Sequence, residues 1–137
     1  IIIFGKNSII AQNFIKKAYS IKGNVITISR SPKNKNDLPC NLGEFISPKN
    51  INTIVSKIKQ KLIFKRTVCI LFSWYGVPRM IDKYGDIWSI NTNIIQNFLY
   101  ITEKLFPSRI IFLSSAGSLY PQNIKSYKFT ENDLVIG

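Results

Sequence analysis

The first eleven residues, IIIFGKNSIIA (residues 1–11), decide the fold. Four apolar residues run directly into Gly5, and apolar sequence resumes at Ile9 after only three intervening residues. An uninterrupted apolar run is typical of a strand that is covered on both faces. A small polar residue such as Ser8, placed just before apolar sequence of helical period, is typical of a helix start. The stretch therefore predicts a β-strand that turns sharply into an α-helix.

The turn between that strand and helix has the chemistry of a phosphate-binding loop. Because glycine lacks a Cβ, Gly5 allows a tight turn and a close approach of the backbone to a pyrophosphate, and the helix start attracts anions. One common version of the dinucleotide-binding turn has three glycines, each three residues apart, and these positions are Gly5, Ser8 and Ala11 here. Ala11 still allows close packing of helix on sheet, and Ser8 can cap the helix or contact a phosphate oxygen. The same small residues also suit a turn that only packs a helix against a sheet, so both interpretations stay open at this point.

Short apolar runs alternate with longer segments of helical period along the rest of the chain. The predicted strands are residues 1–4, 24–29, 67–73 and 109–114. The predicted helices cover residues 8–19, residues 48–62 with Ser47 as N-cap and Pro48 in the first turn, and residues 90–105 before Pro107. Residues 31–39 and 74–86 are rich in Pro, Gly, Asn or Asp and are predicted loops. The pattern predicts one α/β domain over residues 1–137, a three-layer, Rossmann-like, doubly wound parallel sheet that is truncated at its C-terminal end.

The positive net charge of the chain is compatible with a nucleic acid as partner, but the distribution of that charge argues against one. There are 19 Lys and Arg residues and 7 Asp and Glu residues, which gives a formal net charge of +12. The lysines are scattered along the chain, and neither zinc-finger spacing nor an aromatic and basic RNA-binding motif occurs. Apolar runs of about five residues are also far shorter than the roughly 20 residues that span a bilayer. We therefore expect no nucleic acid and no membrane as partners.

The cysteine and histidine content indicates the cellular compartment and excludes some classes of catalytic site. Cys40 and Cys69 lie far apart without C-x-x-C spacing, and reduced cysteines predict a cytoplasmic protein. The chain contains no His, which excludes His-based catalytic triads and most catalytic zinc sites. No metal site is predicted.

The end of the second predicted strand carries the residues that would read the adenosine ribose of a dinucleotide. An acidic side chain at this point accepts hydrogen bonds from the 2′-hydroxyl of NAD, whereas an arginine favours the 2′-phosphate of NADP. The sequence has Ser29 and Arg30 there, with no carboxylate. We therefore expect NAD or NADP as cofactor, with NADP slightly favoured; a solvent-facing arginine without this role is the alternative.

With these elements placed, the chain resembles the N-terminal half of the extended short-chain dehydrogenase/reductase family, the NAD-dependent epimerases and dehydratases that act on nucleotide sugars. The resemblance covers the whole chain. It rests on IIIFGKNSIIA (1–11) for the strand and glycine turn, NLGEFIS (41–47) for the Asp-Leu segment that contacts adenine, TVCILFSW (67–74) for the fourth strand, DIWSINTNIIQNFLYITEKL (86–105) for the helix with the family's Asn, PSRIIFLSSAGSLYP (107–121) for the fifth strand and active-site segment, and FTEND (129–133) for the loop that follows.

The resemblance implies a set of cofactor-contacting positions. These are Gly5, Asn7, Ser8, Ile9, Ile10, Arg30, Asn41, Leu42, Phe72, Ser73 and Asn91. They lie on the first turn, at the end of the second strand, on the segment that matches the family's Asp-Leu pair, after the family's fourth strand, and on the helix that carries the family's Asn.

The catalytic positions implied by the resemblance are incomplete in this chain. The family's catalytic Ser or Thr falls on Ala116, and the neighbouring Ser115 is the candidate hydroxyl donor. The family's catalytic Tyr is followed by a Lys four residues later, and neither Tyr120 nor Tyr127 has a Lys at that spacing. We therefore expect the chain alone to be inactive, without the Tyr/Lys pair and without the substrate domain.

The resemblance implies the N-terminal fragment of an NAD(P)-dependent nucleotide-sugar epimerase, dehydratase or reductase, used in surface polysaccharide biosynthesis. The parent protein would take a dinucleotide and a nucleotide sugar, and it could form a homodimer. The alternative is a non-catalytic NAD(P)-binding or regulatory module that lost its catalytic half. A third hypothesis, less favoured by the charge distribution, is a basic nucleic-acid-binding domain.

Overall fold

The computed structural model of the chain describes residues 1–63, 66–75 and 86–113. Within these residues, strands and helices alternate as the sequence predicts, except that two strands follow each other between the first and second helices. The elements in chain order are β1 (Ile2–Phe4), α1 (Ile9–Ser20), β2 (Ile26–Ser29), β3 (Asp37–Pro39), α2 (Pro48–Lys61), β4 (Val68–Leu71), α3 (Ile87–Leu105) and β5 (Arg109–Phe112).

The five strands form one parallel sheet with the order β3-β2-β1-β4-β5. In register, Ile3 lies beside Thr27 of β2 on one side and Ile70 of β4 on the other. The chain builds outward from β1 to β3, and then crosses to the opposite side of β1 to continue with β4. This order confirms the predicted doubly wound fold, and it places a topological switch point between β1 and β4.

The helices cover both faces of the sheet, which gives the predicted three layers. Successive residues of a strand point to opposite faces. On one face Ile3 packs with Ala11 and Ala18 of α1. On the other, Phe4 meets Phe98 of α3 edge to face at 4.8 Å between ring centroids, within a core that α2 and α3 close.

The helix ends follow local capping chemistry. Ser8 caps α1 and Ser47 caps α2, which has Pro48 in its first turn as predicted. The third helix begins at Ile87, three residues before the predicted start, because the Asp86 side chain accepts a hydrogen bond from the Ser89 amide at 2.8 Å. That helix ends at Leu105, as predicted.

The predicted loop over residues 31–39 is wrong at its end. Residues 37–39 form the edge strand β3, in which Asp37 pairs with Thr27 and Leu38 with Ile28. The sequence does not predict this strand because its residues are uncommon in strands. Pro is tolerated here because it lies at a strand edge, and Asp37 is buried through hydrogen bonds instead of apolar packing. The other predicted strands are shorter than expected at one or both ends. Residues 64–65, 76–85 and 114–137, which include the end of the last predicted strand, lie outside the described residues.

No helix in residues 1–63, 66–75 or 86–113 combines the length and the apolar character that crossing a bilayer requires.

Candidate functional site

A cleft of about 440 Å³ opens at the carboxyl ends of β1, β2, β3 and β4. It therefore lies at the switch point, where ligands bind in open α/β sheets. The residues that line it come from four loops and from the face of α3 behind them. They are Gly5, Asn7, Ser8, Ile28, Ser29, Arg30, Cys40, Asn41, Leu42, Gly43, Glu44, Phe72, Ser73, Trp74, Tyr75, Ile90 and Ile94.

Gly5 forms the tight end of β1, and its glycine character has a structural cause. Its φ angle is +88°, a conformation that side chains with a Cβ rarely adopt. A Cβ at this position would also lie 2.6 Å from the backbone nitrogen of Ser73. The sequence predicts that the missing Cβ makes room for a pyrophosphate. In the structure, the atom that a Cβ would strike is instead the Ser73 nitrogen, just beyond the end of β4. Gly5 lets the ends of β1 and β4 come together, and this close approach shapes the floor of the cleft.

The start of α1 presents its N-terminal turn to the cleft through Asn7 and Ser8. The Ser8 hydroxyl accepts a hydrogen bond from the Ala11 amide at 3.1 Å, so Ser8 serves as the N-cap. The amides of Ile9 and Ile10 belong to the first helical turn, where no intrahelical acceptor exists, and the turn is a favourable place for an anion. The side chains of Ile9 and Ile10 are exposed and do not line the cleft.

Buried Lys6 ties this turn to the segment between β2 and β3. Its ammonium group forms an ion pair with Asp37, whose carboxylate also accepts hydrogen bonds from the Thr27 hydroxyl and from the amides of Lys33 (2.5 Å) and Asn34 (2.7 Å). Burial by itself raises the pKa of Asp37, but these hydrogen bonds, with that from Lys6 foremost, outweigh it and lower the pKa to about 2. The carboxylate is therefore ionised across the physiological range and fixes the two segments to each other.

The end of β2 supplies Ser29 and Arg30, as predicted. The Ser29 hydroxyl is buried beside the cleft and has no hydrogen-bond partner among the described residues. Such an orphaned hydroxyl is unusual in a folded protein and leaves a donor and an acceptor for a ligand. Arg30 is exposed at the rim of the cleft.

One side of the cleft is the segment of residues 41–44, called the β3 wall below. The Asn41 side chain organises it, because its carbonyl oxygen accepts from the Gly43 amide at 3.3 Å and its amide group donates to the Glu44 carboxylate at 2.5 Å. Leu42 reaches into the core and is buried. Two of these four residues, Gly43 and Glu44, were not predicted as site residues; both are contained in the NLGEFIS segment that carried the prediction of their neighbours.

The opposite side of the cleft is the segment of residues 72–75, called the β4 wall below. The Phe72 amide donates to the carbonyl of Phe4 at 2.8 Å, which extends the pairing of β4 with β1 beyond the strand end. Trp74 is 56% exposed at the rim. Asn91, predicted to contact the cofactor, does not line the cleft; its side-chain amide pairs with the backbone of Tyr75 instead.

The structure thus brings eight of the eleven predicted cofactor positions together around one cleft. These are Gly5, Asn7, Ser8, Arg30, Asn41, Leu42, Phe72 and Ser73. Ser115, the candidate catalytic hydroxyl, and Ala116 lie outside the described residues. The sequence pattern missed Ile90 and Ile94, which form the back of the cleft; the apolar stripe of the predicted helix is the signal that could have placed them there.

No family model and no curated protein matches the sequence. Solved structures do match the fold. An epimerase from Methanothermobacter thermautotrophicus matches 99% of this chain over 40% of its own length, with 14% sequence identity and a TM-score of 0.71. MoeE5, solved in complex with UDP-glucose and NAD, matches 98% of this chain over 42% of its own length, with 14% identity and a TM-score of 0.71. A partial-consensus L-threonine 3-dehydrogenase matches 88% of this chain over 37% of its own length, with 18% identity and a TM-score of 0.65.

This chain therefore spans about two fifths of the length of these proteins. At sequence identities of 14–18%, the structural similarity shows a shared fold and no more. The doubly wound sheet and the matches together show that the chain has a Rossmann-like fold shared with these proteins, with its cleft at the switch point of that fold.

Proposed function

We propose that the cleft binds a nicotinamide dinucleotide and that the chain is the cofactor-binding part of an NAD(P)-dependent epimerase, dehydratase or reductase that acts on a nucleotide sugar. The observation that carries the proposal is the convergence of four strand ends and the N-terminal turn of α1 on one cleft at the switch point. The NAD and UDP-glucose in the MoeE5 complex support the same cofactor and substrate class.

The residues of the cleft fit the parts of a dinucleotide. The first turn of α1, capped by Ser8, suits the pyrophosphate. The end of β2 suits the adenosine ribose, since the orphaned Ser29 hydroxyl can pair with a ribose hydroxyl. The β3 wall then lies on the adenosine side, and the β4 wall lies on the nicotinamide side of the switch point.

We propose a preference for NADP over NAD. No carboxylate ends β2, and the guanidinium of Arg30 is exposed at the rim, where it can pair with a 2′-phosphate. A charge-assisted hydrogen bond contributes about 1.5–3 kcal/mol, so Arg30→Ala should lower the NADPH affinity by roughly ten- to a hundredfold and leave the NADH affinity nearly unchanged. Lys35→Ala is the matched control, because Lys35 is an exposed cation of the neighbouring segment that does not line the cleft. An unchanged ratio of the two affinities in Arg30→Ala would assign that arginine to the surface alone.

A nicotinamide dinucleotide bound in the cleft would supply hydride transfer to and from a sugar carbon, and protein groups would move the proton of the sugar hydroxyl. Ser115 remains the proposed hydroxyl donor. Neither Tyr120 nor Tyr127 has a Lys four residues later, and the pair that has this spacing, Tyr100 and Lys104, lies on the exposed surface of α3 and does not line the cleft. We therefore expect no turnover when the chain is incubated with UDP-, GDP- and dTDP-sugars and the products are separated by chromatography. Conversion that disappears in a Ser115→Ala variant would contradict this expectation. A Tyr-x-x-x-Lys motif in the coding sequence beyond residue 137 would favour the enzyme over a non-catalytic module.

The remaining parts of the proposal concern the cellular setting. We propose a cytoplasmic protein, a homodimer in its complete form and a role in surface polysaccharide biosynthesis. The free thiols of Cys40 and Cys69 support a reducing compartment.

Direct binding is the deciding test of the proposal. The chain has two tryptophans, and Trp88→Phe would leave Trp74 at the rim of the cleft as the single indole reporter. Titration with NADPH and NADH should quench its emission and sensitise the emission of the reduced nicotinamide. Arg30→Glu should weaken binding by opposing the ligand's phosphates, whereas Lys16→Glu makes the same charge change on an exposed residue of α1 outside the cleft. Equal affinities for the two charge variants, or no saturable binding by the wild type, would overturn the proposal.

A further inference from the structure

Both walls of the cleft are held by side chains of one helix, α3. The β3 wall has three backbone carbonyls that point toward this helix. The Asn97 side-chain amide donates to the carbonyls of Leu42 and Glu44 at 2.8 and 2.7 Å. The Asn93 side chain donates to the carbonyl between them, that of Gly43, at 3.2 Å.

The β4 wall is held by the same helix through Asn91. Its carbonyl oxygen accepts from the Tyr75 amide at 2.9 Å, and its amide group donates to the Tyr75 carbonyl at 2.9 Å. The second proton of that amide group goes to the carbonyl of Ile87, also at 2.9 Å. The side chain is therefore fixed at both ends and can hold the wall in one position.

The two clamps are rigidly spaced. Asn91 and Asn97 are buried, with 3% and 5% of their surfaces exposed. Six residues of α-helix separate them, a distance of about 9 Å along the axis. Ile90 and Ile94 of the same helix line the cleft, so the helix surface faces the ligand space directly.

We propose that Asn97 and Asn91 are positioning residues that set the two walls of the cleft independently, with Asn97 fixing the adenosine side and Asn91 the nicotinamide side. The inference rests on the proposed dinucleotide function and deepens it. Neither asparagine contacts the ligand; each acts through wall backbone that would otherwise have to be ordered when a ligand binds. Ordering such a segment on binding lowers the apparent affinity, so loss of one clamp should weaken the contacts of one half of the ligand.

Calorimetric titration with ADP and with NADPH separates the two walls. ADP occupies the adenosine side alone, whereas NADPH occupies both sides. Asn97→Leu should weaken ADP and NADPH by the same factor, about tenfold. Asn91→Leu should weaken NADPH by about tenfold and leave ADP within about twofold. Gln96→Leu is the matched control, because it makes a similar change at an exposed position of α3. The proposal would be overturned if Asn97→Leu and Asn91→Leu both folded and each weakened ADP and NADPH by the same factor. It would also be overturned if Asn97→Leu kept the wild-type affinity for ADP.

An isosteric variant covers the case in which Asn97→Leu does not fold. Asn97→Asp keeps the size of the side chain but, when ionised, points a carboxylate at two carbonyl oxygens. Burial and these oxygens should raise the pKa of the introduced carboxyl, and its protonated form can donate one hydrogen bond again. ADP affinity of this variant should therefore recover as the pH falls from 8 to 5, relative to the wild type measured at each pH. An equal pH profile for both proteins would show that the side-chain donor does not position the wall.

Hydrogen exchange distinguishes failure of this inference from failure of the proposed function. If the wild type binds neither ADP nor NADPH, the dinucleotide function falls. The amides of Gly43 and Glu44 should still exchange faster in Asn97→Leu than in the wild type, and the amide of Tyr75 should exchange faster in Asn91→Leu. Unchanged exchange at the wall concerned, or equal changes at both walls in each variant, would overturn the positioning roles.

Discussion

The ion pair between Lys6 and Asp37 should make the stability of this protein depend on pH through one identifiable carboxyl group. Burial by itself raises the pKa of Asp37, but the hydrogen bonds that Lys6, Thr27 and two backbone amides donate to its carboxylate outweigh burial and lower the pKa from 3.8 to about 2. A carboxyl whose pKa is lower in the folded than in the unfolded protein binds more protons when unfolded at intermediate pH. The stability that it contributes is therefore fully present above about pH 4 and is lost as the pH falls toward 2.

The magnitude follows from the size of the pKa change. A difference of one pKa unit corresponds to 1.36 kcal/mol, so the change from 3.8 to about 2 amounts to about 2 kcal/mol at neutral pH. Lys6 gives the foremost of the favourable hydrogen bonds, while three other donors remain when it is removed. Lys6→Met, which keeps an unbranched stem and removes the charge, should therefore cost about 1–2 kcal/mol at pH 7.

Urea denaturation followed by circular dichroism, at a series of pH values from 7 to 2.5, measures this directly. The difference in free energy of unfolding between wild type and Lys6→Met should shrink to less than about half at pH 2.5, because Asp37 then becomes protonated in the variant. Lys16→Met is the control, since Lys16 is an exposed lysine of α1, and its effect should be small at every pH. A difference for Lys6→Met that stays constant over the whole range would refute the coupling of the two charges and assign the loss to packing.

Three further experiments test the turn at Gly5, the helix caps and the burial of Cys69. Gly5→Ala should destabilise the protein by more than about 2 kcal/mol in urea denaturation, because of its positive φ and the nearby backbone nitrogen, whereas Gly43→Ala should cost far less, since its Cβ would meet only side-chain atoms, the Ile90 methyl at 3.0 Å and the Asn41 oxygen at 3.6 Å; equal losses would contradict the strained turn. Ser8→Ala and Ser47→Ala should each cost about 1 kcal/mol of stability as lost N-caps, but only Ser8→Ala should also weaken NADPH, and equal binding by both variants would separate the α1 cap from the cleft. Burial raises the pKa of the Cys69 thiol to about 12, so its modification by a thiol reagent at pH 8 should be slow in the folded protein and fast in urea, and rapid labelling of the folded chain would contradict its buried position.

The sequence predicts those elements whose signals are local. The strand and turn at residues 1–8 follow from an apolar run and a glycine, and the caps of α1 and α2 follow from Ser8 and Ser47. The doubly wound topology follows from the alternation of strands and helices, since parallel strands need crossover connections. Because a parallel sheet collects its ligand loops at one edge, residues at the predicted strand ends, such as Arg30 and Ser73, meet in the cleft.

The sequence does not predict the short strand β3, because this strand is stabilised by polar contacts to the Asp37 side chain. Only three residues form the strand, and the last of them is Pro39. Asp37 is a poor strand former, and it is buried there because Lys6, Thr27 and two amides satisfy its carboxylate. No local window of sequence contains that information, since Lys6 precedes Asp37 by 31 residues.

Large separations in sequence also explain why the roles of Asn91 and Asn97 in holding the walls of the cleft could not be predicted from the sequence. Asn91 was expected at the cofactor by resemblance, but its amide is fully used by the backbone of Tyr75 and Ile87. Asn97 reaches carbonyls that lie 53 and 55 residues earlier. A buried asparagine in a helical pattern indicates only that some polar partner must exist; the sheet order decides which one.

The loops around the cleft therefore differ in what fixes them, and this bears on how a ligand would be held. The floor at Gly5 is set by backbone contact between two strand ends, and it changes only if the sheet changes. The β3 wall is held by the side-chain amides of Asn93 and Asn97, the β4 wall by that of Asn91, and the turn of α1 by one ion pair to Asp37. These polar contacts are buried or partly buried, so leaving a partner unsatisfied costs up to about 1–3 kcal/mol, which favours one position of each loop before a ligand arrives. Affinity for a dinucleotide should accordingly depend on buried residues that never touch it, and substitutions at exposed rim positions such as Trp74 should change selectivity more than they change the shape of the cleft.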